Sequence, residues 1–198
     1  MERKVASRRR GEELEQAILE AAFEEFREAG WTGFTMEGVA KRAGTSKPVL
    51  YRRWPGKVQI LTACIASRLP RASAAPDTGS LRGDTIALLT LAHERMRMIG
   101  QSAMLGMLAE VSSDPEAHRQ LLAGLVNELT GLLTKTVYAR AIARGEITGE
   151  HLTERLTRLP IDLARNEFII FGHISREALE SMVDEVVLPA LRSRGANV

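Results

Sequence analysis

Apolar positions in this chain recur at three- and four-residue steps, the period of a helix with one buried face. No stretch shows the two-residue alternation of a half-buried strand. Between residues 12 and 29 the stripe runs through Leu14, Ile18, Ala21, Ala22 and Phe26, and Gly30 supplies a stop. Thr35 is a good N-cap for a short helix through Val39, Ala40 and Ala43, which Gly44 closes. Ser46 can cap a second short helix with Pro48 in its first turn, where a missing N–H does little harm. Pro55-Gly56 breaks that helix, and another is predicted from Lys57 to about Ser67 through Ile60, Leu61, Cys64 and Ile65. Residues 70–80, rich in Pro, Ala, Ser and Gly, read as a loop.

The second half repeats the helical period with longer elements. Leu81–Ile99 carries Leu88, Leu89, Ala92, Met96 and Ile99 on one side, and a shorter helix follows over Ala103–Val111. Ser113-Asp114-Pro115 is a start signal for the longest helix, whose face holds Leu121, Leu122, Leu125, Val126, Leu129, Leu132, Leu133 and Val137 as far as Gly145. Leu152–Phe171 is helical in pattern, with Pro160 expected to kink or split it. Leu179, Met182, Val183, Val186, Val187, Ala190 and Leu191 form a last stripe, bent or loosened at Pro189. The expectation is an all-α fold of about nine helices. Its parts are an N-terminal arm over 1–11 without fixed structure, a three-helix domain over 12–56, and a larger helical domain over 57–198.

Composition narrows the class. With 198 residues, 44% hydrophobic and 26% charged, the chain is an ordinary globular protein of one or two domains. It has no apolar run long enough to span a membrane, and no apolar stretch follows the basic residues at its start, so neither a membrane segment nor a secretory signal is expected. Cys64 stands alone, which excludes an intrachain disulfide and a multi-cysteine zinc site and suits a reducing cytoplasm. The histidines His93, His118, His151 and His173 are scattered, and no metalloprotease or phosphate-loop motif is present. Paired acids such as Glu12-Glu13 and Glu24-Glu25 belong to solvated helix faces. No enzyme, cofactor or metal is expected.

Net charge is only +2, but its distribution is uneven. Residues 1–10 hold five basic groups against one acid, and residues 41–57 hold six and no acid. Residues 58–198 are balanced at 15 basic and 16 acidic side chains. Two cationic patches near one end are the footprint expected of phosphate binding, with a solvated tail and helix face as the bland alternative. The second patch coincides with the two short helices around Gly44, a helix-turn-helix arrangement. Phe34, Val39, Ala40, Ala43, Leu50 and Trp54 can lock those helices together. Thr45, Ser46, Lys47, Val49, Tyr51 and Arg52 are left to face outward.

The pattern Thr35, Val39-Ala40, Ala43-Gly44, Ser46, Leu50-Tyr51, Trp54 and Lys57 resembles the tetracycline-repressor (TetR) family over roughly residues 12–60. Beyond that stretch the likeness is architectural. The resemblance implies that the helix from Ser46 to Arg53 enters a major groove of double-stranded operator DNA. Lys47 would then reach guanine and Val49 a thymine methyl, while Thr45 and Ser46 reach bases or phosphates. Thr35, Tyr51 and Lys57 would contact phosphates, with Pro48 and Arg52 completing the surface. The arm's arginines either enter an adjacent minor groove or stay disordered. Two departures are Arg52-Arg53-Trp54, more basic than many members, and Gly38, which weakens the motif's first helix.

In that family the remaining helices enclose a small-molecule cavity. Its candidate lining is Met96, Met104, Met107, Leu108, Phe168 and Phe171, with His93 or Asn127 as polar anchors; core packing is the competing reading for each. Ile169, Ile170, Phe171, Val183, Val186 and Val187 are candidates for a four-helix interface in a homodimer. The implied function is a dimeric transcriptional regulator, a repressor released from a palindromic operator by a small-molecule effector. The alternative is a constitutive or architectural DNA-binding dimer without an effector.

Overall fold

The computed structural model describes residues 2–67, 76–112 and 129–192, and among these every regular element is helical. The first elements are α1 (Glu2–Gly33), α2 (Met36–Arg42), α3 (Lys47–Tyr51) and α4 (Lys57–Ser67). They are followed by α5 (Leu81–Ile99), α6 (Gln101–Val111), α7 (residues 129–143), α8 (Glu154–Phe171) and α9 (residues 176–192). Caps fix several starts: the hydroxyls of Thr35, Ser80, Thr153 and Ser175 accept from the backbone N–H three residues on. Gly44 and Gly172, at φ +61° and +75°, end α2 and α8 in the left-handed region that a side chain disfavours.

The chain folds into two compact units. In the first, residues 2–67 join with 105–112. Its core is Ile18, Ala22 and Phe26 of α1 with Phe34, Val39, Leu50 and Trp54, and α4 packs Ile60, Leu61 and Cys64 along α1. Lys57–Ser67 therefore belongs with the head, not with the later helices as the boundary at residue 57 implied. The reason is that the apolar face of α4 is spent on α1. The helix also starts at Glu2, so residues 2–11, expected to lack fixed structure, continue it backward. Apart from Gly11, that stretch is dominated by Arg, Lys, Glu and Ala, good helix formers. Gly30, at φ 62°, interrupts α1 where a stop was predicted.

The second unit comprises residues 76–104 and 129–192. Leu81, Leu88 and Leu89 of α5 face a core shared with Leu133, Val137, Tyr138, Ala164, Phe168, Leu179, Val183 and Val187. Pro160 does not split α8, which runs unbroken to Phe171. The proline takes away one backbone donor, that of the bond to the Leu156 carbonyl; separately, the buried Tyr138 hydroxyl donates to the Thr157 carbonyl at 3.4 Å. In α9 the chain opens into wider turns over Met182–Val187, directly before Pro189. Thr78 (backbone and hydroxyl) and Arg144 all donate to the buried Asp84, while Leu81 N–H and Arg144 donate to Glu146. This network ties the start of α5 to the end of α7. The start of the long helix at 113–128 and most of the loop at 70–80 fall outside the described residues.

Candidate nucleic-acid interface

The head is built so that α3 is held by its buried side and offers the other. Leu50 is fully buried and Trp54 nearly so, whereas Ser46, Lys47, Pro48, Tyr51 and Arg52 are exposed. Thr45 and Val49 are half-buried. Tyr51, 49% exposed, is not a core aromatic. Ser46 occupies the cap position of α3, but its hydroxyl makes no capping bond and is left for another partner. Thr35 is exposed yet already accepts from Gly38 N–H at 3.0 Å. Lys57 stands at the start of α4 with its ammonium 4.3 Å from the centre of the Trp31 ring, which aims a cation without neutralising it.

The cations of residues 41–57 are not an unopposed patch. Arg42 donates to Glu25 at 3.2 Å and to Glu28 at 2.5 Å, so acids of α1 hold it. That clamp bears on Gly38, which sequence reasoning took only as a weakness in α2. A Cβ at 38 would meet the Glu25 carboxylate, the movable end of a flexible side chain, which would have to shift from its present place beside Arg42. Arg53 lies 3.6 Å from Glu15. Lys47 is paired with Glu37, Nζ to Oε2 at 2.6 Å, across the gap between the starts of α2 and α3. The hydrogen bond and charge of Lys47 hold the Glu37 carboxyl below the usual carboxylate range, and Glu37 in turn raises the lysine. Glu37 was absent from the sequence-derived site, since nothing in the spacing brings residues 37 and 47 together. Lys41 and Arg52 make no ion pair among the described residues.

A family model described as bacterial regulatory proteins of the tetR family matches residues 18–64, covering this head. A second, described as the tetracyclin repressor-like C-terminal domain, matches residues 75–186, more than half of the chain. The chain belongs to the TetR family. An HTH-type transcriptional regulator of Mycobacterium tuberculosis, itself uncharacterised, is 31% identical over 185 residues, covering 91% of this chain and 90% of the relative. The DNA-binding transcriptional repressor TetR of Mycobacteroides abscessus is 23% identical over 184 residues, 92% of this chain and 96% of that one. A crystal structure of a protein from Mesorhizobium loti, assigned to the TetR family, superimposes with a TM-score of 0.57 at 20% identity, over 93% of this chain and 98% of that one. It shares the fold. This TetR-family chain is thus a DNA-binding transcriptional regulator that reads DNA through its helix-turn-helix, and the family is not one of enzymes. Among the described residues no helix is long and apolar enough to cross a membrane.

The remaining predicted positions of this TetR-family regulator divide unevenly. Met96, Met104 and Phe168 are buried in the second unit, whereas Met107 and Leu108 belong to the first. Asn127 lies outside the described residues. His93 is half-buried, edge-on to Phe168 with ring centres 6.0 Å apart, and its Nε2 accepts from Ile174 N–H at 3.2 Å. Phe171 does not line an interior: it is 60% exposed. The interface set also splits. Ile170, Phe171 and Val186 are exposed and Ile169 half-buried, but Val183 and Val187 are fully buried inside their own chain. These two valines have no surface to give a partner, because the stripe they share turns toward α5 and α8.

Proposed function

We propose that this TetR-family regulator is a homodimeric repressor that grips a two-fold operator and is released by a small molecule. The observation that carries the reading is the outward face of α3. It sets Ser46, Lys47, Pro48, Tyr51 and Arg52 on a helix whose opposite side is locked by Leu50 and Trp54. A short rigid helix of that kind fits a major groove. Two copies, spaced about one turn of DNA or ~34–36 Å apart, fit successive grooves on one side of the duplex. In this reading Lys47 and Val49 meet bases, Thr45 and Ser46 meet bases or phosphates, and Thr35, Tyr51, Arg52 and Lys57 meet phosphates. The mycobacterial relative described as a repressor supports the sign of the regulation.

Dimerisation is supported by Ile170, Phe171 and Val186, large apolar side chains left in water on a single chain. An effector is supported by the half-buried His93, edge-on to the buried Phe168 of the second unit. One observation favours the constitutive alternative: His93 already accepts a hydrogen bond from Ile174, as a satisfied core histidine does. The test is selection of genomic fragments by the purified protein, followed by ligand screening on the enriched site. Enrichment of a pseudo-palindrome near the protein's own gene is expected. Recovery of no enriched sequence overturns the reading. A compound that binds tightly and leaves operator affinity unchanged hands the case to the constitutive alternative.

A further inference from the structure

The pair at the starts of α2 and α3 matches a particular partner. Lys47 and Glu37 meet at 2.6 Å while 48% and 75% of their side chains remain exposed, so the two tips form one outward-facing donor–acceptor unit. A carboxylate beside DNA is repelled by phosphates, and it is tolerated only where a cation screens it and a donor meets it. Lys47 supplies the cation. In the major groove the base-edge donors are cytosine N4 and adenine N6, and guanine presents acceptors at O6 and N7. Guanine O6 and cytosine N4 of one base pair are themselves joined by an N–H···O hydrogen bond, so they lie roughly 2.9 Å apart. That separation is close to the separation of the lysine and glutamate tips.

We infer that Glu37 and Lys47 together read a single G·C base pair, Lys47 donating to guanine O6 and N7 and Glu37 accepting from cytosine N4. The three hydrogens of the ammonium allow Lys47 to keep Glu37 while reaching guanine, and the second oxygen of Glu37 is left for cytosine. Glu37 is ionised and held as a pure acceptor by its lysine. Its position in the first turn of α2 also places its charge at the favourable end of that helix. An A·T pair in the same place would offer adenine N6–H to a lysine that has nothing to accept with, and thymine O4 to a carboxylate that has nothing to donate. The exocyclic edges therefore reject A·T in that orientation, while T·A, whose O4 and N6–H still match the two tips, is set apart only by the guanine N7 contact that Lys47 loses. Glu37 is thus a specificity-determining residue.

This inference rests on the DNA-reading role of α3, and the experiment separates the two. Wild-type protein, Glu37→Gln and Lys47→Gln are each used to enrich a library of duplexes with a randomised centre, and all preferences are then measured by competition. Both side chains are exposed, so thermal melts of the variants should match wild type. The wild type is expected to enrich a site with one G·C pair per half-site that both variants relax, each losing on the order of tenfold discrimination there. The other positions of the site should keep their preferences. If Glu37→Gln tightens binding to every sequence alike and leaves all preferences intact, Glu37 only opposes phosphate and the assignment is overturned. If the two variants relax different base pairs, it is overturned as well. No enriched sequence from the wild type would sink the operator reading together with this one.

Discussion

Two substitutions a few residues apart on α9 should have opposite consequences. Val183 is 0% exposed within one chain, whereas Val186 is 43% exposed, and Ile170 and Phe171 at the end of α8 are 58% and 60% exposed. Val183→Glu removes a buried valine worth ~1.5–3 kcal/mol and adds an unpartnered carboxylate that costs several more. Set against a typical domain stability of ~5–15 kcal/mol, that is enough to unfold the second unit. Ile170→Glu combined with Val186→Glu alters surface that is already wet in the single chain, so the fold should survive. If those side chains are covered in a symmetric dimer, each is lost twice. At ~1 kcal/mol per site the four sites sum to ~4 kcal/mol, close to a thousandfold weaker dimer. Light scattering across a dilution series, with a thermal melt of each variant, reads both quantities. A well-folded monomer from the double variant and an early melt from Val183→Glu are expected. A double variant that stays dimeric with an unshifted dissociation constant would place the interface elsewhere, and a Val183→Glu protein melting like wild type would refute the packing.

Three further outcomes follow from the geometry. Lys57→Ala and Tyr51→Ala should weaken binding to all duplexes alike, Lys57→Ala also flattening the salt dependence by ~0.9 in log–log slope, measured by anisotropy titration at several salt concentrations. His93 is held below its ordinary value of 6.5, first by burial and then by Arg97 and His173 against the opposing Glu94. A depressed histidine is neutral in the fold, so its contribution is complete above pH 6.5 and is lost as pH falls from there toward the folded value. His93→Gln, whose amide oxygen can still accept from Ile174, should flatten melting temperature against pH in that window, and an unchanged slope would count against it. Asp84 is raised by burial, but hydrogen bonds from Thr78 and the charge of Arg144 outweigh that and hold it below 3.8. Its stabilisation is therefore complete above pH 3.8 and lost below it. Asp84→Asn should cost about 1.5–3 kcal/mol at neutral pH by denaturant titration and less in acid, a constant loss contradicting the account.

The elements were legible because each announces itself locally. Gly30, Gly44 and Pro55 punctuate the head, and Leu81–Ile99 coincides with the span its apolar stripe predicted. What the period cannot reveal is which of two cores a stripe serves. Val183 and Val187 lie on the same stripe as Val186, yet two face inward and one outward, because the wider turns over Met182–Val187 rotate the register that a uniform helix would keep. For the same reason α4 read as the beginning of the second domain: its apolar face is visible in sequence, but not that α1 takes it up. Pro160 leaves α8 unsplit, since one lost backbone bond is not enough to end a helix that is otherwise well packed.

Charge shows the same gap between inventory and arrangement, with a functional consequence. Six cations and no acid over residues 41–57 read as a strong phosphate-binding field, but residues 12–40 carry eight acids against Arg27 alone, and α1 lays part of them against that field. Glu25 and Glu28 take Arg42, Glu15 takes Arg53, and Glu37 takes Lys47, while Lys57 is fixed over Trp31. Exposed pairs of this kind add little to stability, typically ~0–1 kcal/mol, so the head does not need them to fold. Their larger effect is on what the surface offers to DNA. Each cation committed to a carboxylate is one fewer for a phosphate, and affinity that ignores sequence depends on that number. Lys41 and Arg52 are the cations of this stretch that make no ion pair among the described residues. In the reading proposed above, a stretch with fewer cations free for phosphate takes a larger share of its discrimination from base edges. That is the arrangement a regulator needs when one operator competes with a genome of other sites.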